Sequence, residues 1–342
     1  MRLRHRSRMF AAVGLAMAAA IAIAGCSAPD EEAASSSAAP SAEAGALPVT
    51  IEHQFGTTTI SEPVSRVAAM GVGDGDTLLA LGFQPTAVAT FGTPAEAKTA
   101  WNKSLWTTDP VALPEASTAF GNEIAKTLAT NPQLITAVGA DPTQEQYDKL
   151  AAAVPTITRP KGSTVWQVPW EDQATEIGKA VGMPEAVAAK IAEAKSHVTD
   201  KAAEYPALKG KTAVALTASA DGSVSIFGPG DSRQQILESY GLTFPEGLKS
   251  AINSGFYGTI SAENINLLDQ ADVIVVLDWE GANDQIKKNA NWNRQAFVTQ
   301  GRTVYINQEV GTAMGVGTVL SIPWIADQTV EPIAAAAGKA TT

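Results

Sequence analysis

The sequence predicts an α/β protein built of two lobes that one long helix joins. In both halves of the chain, short apolar stretches typical of buried strands alternate with helical patterns, which favours a mainly parallel sheet in each half. Between the halves, residues 169–205 have little strand character. About 290 residues follow the low-complexity N-terminal part, more than one hydrophobic core usually holds.

The first lobe is predicted over residues 49–182. Its elements follow one another in the rhythm of strand, helix, strand, which implies right-handed parallel crossovers. They are a β-hairpin at 49–61, strands at 66–70, 86–90 and 131–138, a helix at 76–82 that ends at Gly82, and a helix with Asp141 as N-cap and Pro142 at its first position.

The linking helix is predicted over residues 183–206. Its apolar positions Val187, Ile191, Ala194 and Val198 recur at helical spacing from Pro184 to Tyr205, and a helix of those 22 residues extends about 33 Å. The second lobe is predicted over residues 207–342. Its elements are the strand TAVALTA, a tight turn at Asp221-Gly222, the partner strand SVSIF, the helix DSRQQILESY, the strands ADVIVVL and RTVYI, and a closing helix over 323–337.

The N-terminus has the layout of a secretory signal over residues 1–25. Four arginines precede a charge-free apolar run at 9–25, and small residues precede Cys26. The run is close to the length of a membrane span, so an uncleaved anchor is the alternative. The tetrapeptide Ile23-Ala24-Gly25-Cys26 resembles the bacterial lipobox, which implies that Cys26, the only cysteine, becomes the lipidated first residue of the mature chain.

Residues 26–48 are predicted to form a disordered tether behind this anchor. They consist mainly of Ala, Ser, Pro and Glu, a composition that cannot bury enough apolar surface to offset the entropy of ordering.

Charge and composition exclude several functions. Without the signal the chain has 20 basic against 35 acidic residues, which argues against a nucleic-acid partner. Only His53 and His197 follow the signal, too few for a metal site of the usual kind or for a Ser-His-Asp triad. We therefore expect no catalytic residues, no bound metal and no cofactor.

The glycine-rich segment Gly71–Thr77 resembles a dinucleotide loop only in part. Asp76 occupies the position of the third glycine, and Asp74 and Asp76 would repel a pyrophosphate. The segment is predicted to be a tight turn between a strand and a helix.

Aromatic residues and scarce arginines in predicted loops are the candidates for a binding cleft. Tryptophans near strand ends suit a bulky ligand, although ordinary core packing is the alternative for each of them. Arg233 follows the turn Gly228-Pro229-Gly230 and opens a helix, where its guanidinium could face electron-rich oxygens of a ligand. The candidate walls of the cleft are Trp106, Trp166, Tyr257 and Trp279.

An ordered set of segments resembles the iron–siderophore substrate-binding lipoproteins of ABC transporters, of Gram-positive, actinobacterial type. It includes RVAAMGVGDGDTLLALGFQPTAVAT, NPQLITAV, SAENINLLDQADVIVVL and VLSIPWIADQTVEPI. The resemblance covers the chain from about residue 49 onwards. It implies a bilobed substrate-binding protein with two Rossmann-like lobes and a rigid interlobe helix.

The resemblance also implies a function and partners. A lipid-anchored monomer on the outer face of the cytoplasmic membrane would capture a ferric siderophore between its lobes and deliver it to a permease with its ATPase. Iron would be held only through the siderophore.

Two acids would dock onto the permease, one from each lobe. The segment SAEN assigns Glu263 in the second lobe. Glu123 is the first-lobe candidate, but it lies two residues too early for the family spacing, so Glu115 is the second choice.

Two other functions stay open at this stage. A haem or cobalamin receptor of the same fold is one, and haem would require an axial ligand such as Tyr257 or Tyr147. An adhesion or signalling lipoprotein that has lost transport is the other.

Overall fold

Two five-stranded sheets, each covered by helices on both faces, form the two predicted lobes. The computed structural model describes residues 40–91, 93–164, 166–253 and 255–340. The predicted signal, Cys26 and the tether as far as residue 39 lie outside these residues. Among the described residues, no helix is both long and apolar enough to cross a membrane.

The first lobe carries the predicted β-hairpin and an entirely parallel sheet. The sheet has the strand order β5-β4-β3-β6-β7. The strands are β1 (Val49–His53) and β2 (Gly56–Ile60) in the hairpin, then β3 (Val67–Ala69), β4 (Ala87–Ala89), β5 (Val111–Leu113), β6 (Leu134–Ala137) and β7 (Thr156–Thr158). The helices are α1 (Asp74–Ala80), α2 (Phe120–Ala129), α3 (Gln144–Ala151) and α4 (Trp170–Ala180).

The second lobe repeats this strand order as β10-β9-β8-β11-β12, but β9 runs antiparallel to both of its neighbours. The helix α5 (Pro184–Ala203) leads into it. The strands are β8 (Ala213–Ala218), β9 (Val224–Phe227), β10 (Tyr257–Ile260), β11 (Val273–Leu277) and β12 (Thr303–Ile306). The helices are α6 (Ser232–Ser239), α7 (Ala282–Ile286), α8 (Ala290–Asn293), α9 (Ala296–Thr299), α10 (Gln308–Gly315) and α11 (Ser321–Ala337).

Both faces of each sheet are buried, as the continuous apolar strands predict. In β3, Val67 and Ala69 pack into one cluster of the first lobe, while Ala68 and the following Met70 pack into another. The strands of the second lobe divide between two further clusters in the same way. This period of two places the helices on both sides of each sheet.

The linking helix α5 is anchored in both lobes. Val187, near its start, is buried in a first-lobe cluster, and Val198, near its end, is buried in a second-lobe cluster. Its twenty residues extend about 30 Å. Because each end is fixed by buried side chains, the helix holds the lobes at a set separation.

The end of the predicted tether is ordered, which contradicts that part of the prediction. The carboxylate of Glu43 accepts hydrogen bonds from the backbone N–H groups of Glu185 (2.9 Å) and Ala186 (2.8 Å), at the start of α5. The N–H of Glu43 in turn donates to the carbonyl of Gly182. The first N–H groups of a helix have no partner within it, and an acid is favoured there, so residues 40–48 dock despite their composition.

The start of α3 also differs from the prediction. Thr143, not Asp141, is its N-cap: the Thr143 hydroxyl accepts from the N–H of Gln146, and the Gln146 side chain accepts from the N–H of Thr143. This reciprocal capping box satisfies two free donors, which a single Asp could not do.

Candidate ligand-binding cleft

A cleft between the lobes contains two adjoining cavities. The larger, of about 360 Å³, lies between the segments that follow β3 and β4 in the first lobe and helix α10 of the second. The smaller is lined by Trp166, Trp170 and Gln173 from the first lobe and by Gly230, Ser232 and residues 315–317 from the second. Val72 and Val316 line both. The carboxyl ends of parallel strands thus face this cleft in the first lobe, where ligands of open α/β sheets usually bind.

Three aromatic side chains meet across the cleft. The ring of Phe91, just after β4, contacts Trp166 edge to face at a centroid distance of 5.9 Å and Trp279, just after β11, at 6.2 Å. Trp166 and Trp279 are 38% and 45% exposed, which is high for tryptophan. The structure brings together two predicted wall residues and adds Phe91. The sequence analysis missed Phe91, although it follows a predicted strand directly, while Trp279 lies two residues after one.

One residue of this aromatic group, and the neighbour of another, are held in an unusual backbone conformation. Trp166 has φ of 64° and Glu280, next to Trp279, has φ of 51°. A bulky residue in the left-handed region costs about 1–3 kcal/mol, and such strain is concentrated at functional sites. The backbone therefore aims the exposed indole groups at the expense of local stability.

Arg233 lies beside the smaller cavity at the start of α6. Its Nη1 contacts both carboxylate oxygens of Asp231, at 3.2 and 3.0 Å, and its guanidinium lies 4.1 Å from the centroid of the Phe227 ring. Asp231 is 2% exposed and also caps α6 by accepting from the N–H of Arg233. Burial raises the pKa of the Asp231 carboxyl, and the charge of Arg233 opposes that shift.

The other two predicted wall residues have different surroundings. Tyr257 is 39% exposed at the start of β10, and its ring contacts Phe256 at 5.5 Å. Trp106 is 9% exposed and packs in a hydrophobic cluster of the first lobe with Leu78 and Phe83. Trp106 is therefore a core residue, and its predicted place in the wall of the cleft is wrong.

The first turn of α1, directly after the glycine-rich turn that follows β3, contains two buried carboxylates. Asp74 accepts from the N–H groups of Val138 (2.9 Å) and Gly139 (3.0 Å) and from the Gln173 amide (2.7 Å). These donors all belong to the first lobe. Asp74 therefore fixes the turn to the segment after β6, and burial raises its pKa.

Asp76, by contrast, joins the two lobes. Its carboxylate accepts from Trp101 Nε1 (2.7 Å) and Asn102 Nδ2 (2.9 Å) of the first lobe, and from Thr318 Oγ1 (2.6 Å), in the segment that leads into α11. Burial raises the pKa of Asp76 as well. The Trp101 ring also contacts Trp324 of α11 at 5.2 Å. The predicted tight turn is confined to residues 71–73, because α1 begins at Asp74, two residues before the predicted start, and the first turn of α1 is also an interlobe contact.

The predicted docking acids divide into exposed and buried ones. Glu263 is exposed in the first turn of a 3-10 helix at Ala262–Gln270. Glu123 is fully buried, where it accepts from the N–H of Glu115 (3.0 Å) and pairs with Lys126 (2.9 Å). A buried acid cannot meet a partner protein, so the Glu123 assignment is corrected. Glu115, the second choice, is exposed.

The two candidate haem-ligating tyrosines also differ in solvent exposure. Tyr147 is buried, stacks on Phe55 at 4.9 Å and lies 3.4 Å from His53 Nε2, beneath the hairpin. Burial lowers the pKa of His53. Only Tyr257 is therefore accessible. Within the described ranges, no group of three or more His, Cys, Asp or Glu side chains could hold a metal ion.

Two α/β lobes, one long linking helix and an aromatic cleft between the lobes define the class of bilobed substrate-binding proteins with a rigid interlobe helix. A family model confirms this class. Residues 67–310 match the model of the periplasmic binding protein family, and the chain belongs to that family. Its members are non-enzymatic, extracytoplasmic substrate-binding components of ABC transporters.

Solved structures show the same fold. A periplasmic solute binding protein of Mycobacterium smegmatis is 28% identical, with a TM-score of 0.75 over 85% of this chain and 99% of that one. PiaA of Streptococcus pneumoniae, in complex with ferrichrome, is 24% identical, with a TM-score of 0.72 over 86% and 100%. SirA of Staphylococcus aureus, complexed with staphyloferrin B, is 20% identical, with a TM-score of 0.67 over 83% and 98%. No match was found among curated protein sequences.

Proposed function

We propose that this substrate-binding protein captures a ferric siderophore between its lobes and delivers it to an ABC permease for iron uptake. The observation that carries the proposal is the group formed by Phe91, Trp166 and Trp279 at the mouth of the cleft. Exposed aromatic rings suit a bulky, rigid ligand with apolar faces. Structures of similar fold were solved with ferrichrome and staphyloferrin B, which supports a ferric siderophore as the ligand class.

Four residues are proposed to contact the ligand. Trp166, Trp279 and Tyr257 would form the walls, because each is more than a third exposed. Arg233 would donate hydrogen bonds to the iron-bound oxygens of the siderophore, since it lies beside Gly230 and Ser232, which line the smaller cavity. Iron would reach the protein only as the siderophore complex.

Titration of intrinsic tryptophan fluorescence with ferric siderophores tests the proposal. We expect saturable quenching with a Kd of about 1 μM or below for at least one complex. Trp166→Ala and Trp279→Ala should each weaken that binding at least about tenfold, or 1.4 kcal/mol. Trp106→Phe is the matched control, because this tryptophan is in the core, and it should leave the affinity unchanged. Absence of quenching by every ferric siderophore would exclude the proposal.

Hemin is the comparison ligand for the haem alternative. Tyr257 is the accessible candidate for an axial ligand. A Soret shift on addition of hemin that Tyr257→Phe abolishes, together with no binding of ferric siderophores, would assign the protein to haem instead.

The proposed attachment to the outer face of the membrane rests on Cys26. We expect Cys26→Ser to release a folded protein into the medium, because the described core begins well after this residue. Retention of the variant in the membrane fraction after signal cleavage would contradict lipidation at Cys26.

A further inference from the structure

The described lining of the cleft has an excess of acidic groups. Of the residues that line the two interlobe cavities and the adjoining one at the start of α4, Lys98 and Lys195 are the only basic ones, and they are ion-paired with Asp109 and Glu171. The larger cavity is also lined by two acids that water reaches, Glu96 and Glu309, and by the buried Asp76. The smaller cavity is lined by uncharged residues alone. A negatively charged ligand would therefore meet repulsion and find no free cation in this lining.

Arg233, beside the cleft, adds no net positive charge to this lining. Both oxygens of Asp231 engage Nη1 of Arg233, and the pair is largely withdrawn from water, since the Asp231 and Arg233 side chains are 3% and 20% exposed. The guanidinium is fixed further by the ring of Phe227 on one side. Asp231 thus compensates the charge of Arg233 while leaving other guanidinium N–H groups as hydrogen-bond donors.

The main classes of ferric siderophore differ in charge. Three singly charged hydroxamates cancel the charge of Fe³⁺, so a ferric trihydroxamate is neutral, or positive if it carries a free amine. Three doubly charged catecholates leave the complex with three negative charges, and ferric hydroxycarboxylates are also anionic. Transfer of an anion into a partly desolvated cleft is costly unless a cation compensates it, and like charges disfavour approach.

We infer that the cleft selects ferric trihydroxamates of zero or positive charge and rejects anionic ferric complexes, with Asp231 as a specificity-determining residue that neutralises Arg233. This selection rests on the proposed function. The selection adds to the proposed function the class of siderophore and the residue that determines this class.

Parallel fluorescence titrations with a neutral ferric trihydroxamate and a ferric tris-catecholate test the selection. The native protein should bind the trihydroxamate at least about tenfold more tightly, a difference of 1.4 kcal/mol. Asp231→Asn keeps a side chain that can cap α6 and leaves the charge of Arg233 uncompensated. The ratio of the two affinities should then move at least about tenfold towards the catecholate.

A second variant keeps the test valid if Asp231→Asn fails to fold. Glu309→Lys reverses an exposed acid of the lining on α10 and should also move the ratio towards the catecholate. Glu331→Lys makes the same change of charge on an exposed site of α11, outside the lining, and should leave the ratio unchanged.

The outcomes separate the two proposals. Equal or tighter binding of the tris-catecholate by the native protein overturns the selection and leaves the siderophore function standing. An unchanged ratio in both Asp231→Asn and Glu309→Lys overturns the electrostatic cause. Failure of every ferric complex to bind removes the proposed function, and the selection with it.

Discussion

The two lobes have the same strand order, but they differ in how the first two strands of each five-stranded sheet are joined. In the first lobe, β3 leads through the glycine-rich turn into α1 and only then into β4, which pairs parallel to β3. In the second lobe, β8 turns back directly at Asp221-Gly222 into β9, which pairs antiparallel. Parallel neighbours need a crossover, whereas antiparallel neighbours need only a turn.

This difference decides the environment of the aspartates in each connection. Asp76 begins a crossover that packs against the other lobe, so it is buried among three donors and its pKa is raised by burial. Asp221 is exposed at the hairpin, and hydrogen bonds from the Ser223 side chain and backbone lower its pKa. The same residue type is thus an interlobe contact in one lobe and a turn residue in the other.

Removal of the carboxylate charge should affect the free energy of unfolding far more at Asp76 than at Asp221, and this is the largest difference that we expect between the two connections. Asp76→Asn places an amide N–H₂ against donors and leaves at least one of them unpaired, so it should lower the free energy of unfolding by about 2–3 kcal/mol. Asp221→Asn should lower it by less than about 0.5 kcal/mol, because solvent can replace its contacts. Urea unfolding of both variants measures the difference, and equal losses would contradict the interlobe role of Asp76.

The glycines of the two connections offer a second comparison. Gly73 and Gly222 both have positive φ, of 85° and 88°, so alanine strains either by about 1–2 kcal/mol. A Cβ on Gly73 would also lie 3.0 Å from Thr318 and 3.1 Å from Val316, across the lobe boundary. We therefore expect Gly73→Ala to weaken ligand binding as well as stability. Gly222→Ala should affect stability alone, as thermal unfolding and titration together would show.

The pH dependence of stability should differ in sign between the two aspartates. A raised pKa in the folded state means that stability is gained as pH falls from the folded pKa towards the ordinary value of 3.8. The difference in unfolding free energy between the native protein and Asp76→Asn should therefore increase as the pH is lowered from 7 to 4.5.

For Asp221, whose folded pKa is lowered, the contribution is complete above 3.8 and is lost only below it. The difference between the native protein and Asp221→Asn should accordingly stay flat between pH 7 and 4.5. Urea titrations at several pH values measure both, and a flat profile for Asp76→Asn would contradict the burial effect.

Substitutions on the surface that is proposed to dock onto the permease should have the smallest effect on stability and ligand affinity. Glu115→Arg and Glu263→Arg change exposed acids, one in each lobe, and should leave stability and ligand affinity within error. Each should reduce uptake of the ferric siderophore by cells, because charge pairs at a transient interface guide association. Glu193→Arg on α5, also exposed, is the control. Normal uptake in both lobe variants would place the docking surface elsewhere.

The sequence was a good guide to the elements and a poor one to which side chains are accessible. The hairpin at its start, the long helix and the turn at Asp221-Gly222 are all present. Trp166 and Trp279 do face the cleft region, but Trp106 is in the core. A tryptophan in a polar segment looks the same in both situations, because burial depends on what the segment packs against.

The features that can be read from the sequence are local. Continuous apolar strands, helical spacing around Val187 and Val198, and the turn residues act over a few positions, so they specify the two sheets and the helix between them. Contacts between distant groups follow only from the tertiary structure. Asp76 and Thr318 are separated by 242 residues yet share a buried hydrogen bond. The Glu43 carboxylate reaches the first N–H groups of α5, and Glu123 is buried. Such contacts depend on the packing of whole elements, because solvent exclusion is a property of the assembled lobes and not of any short segment.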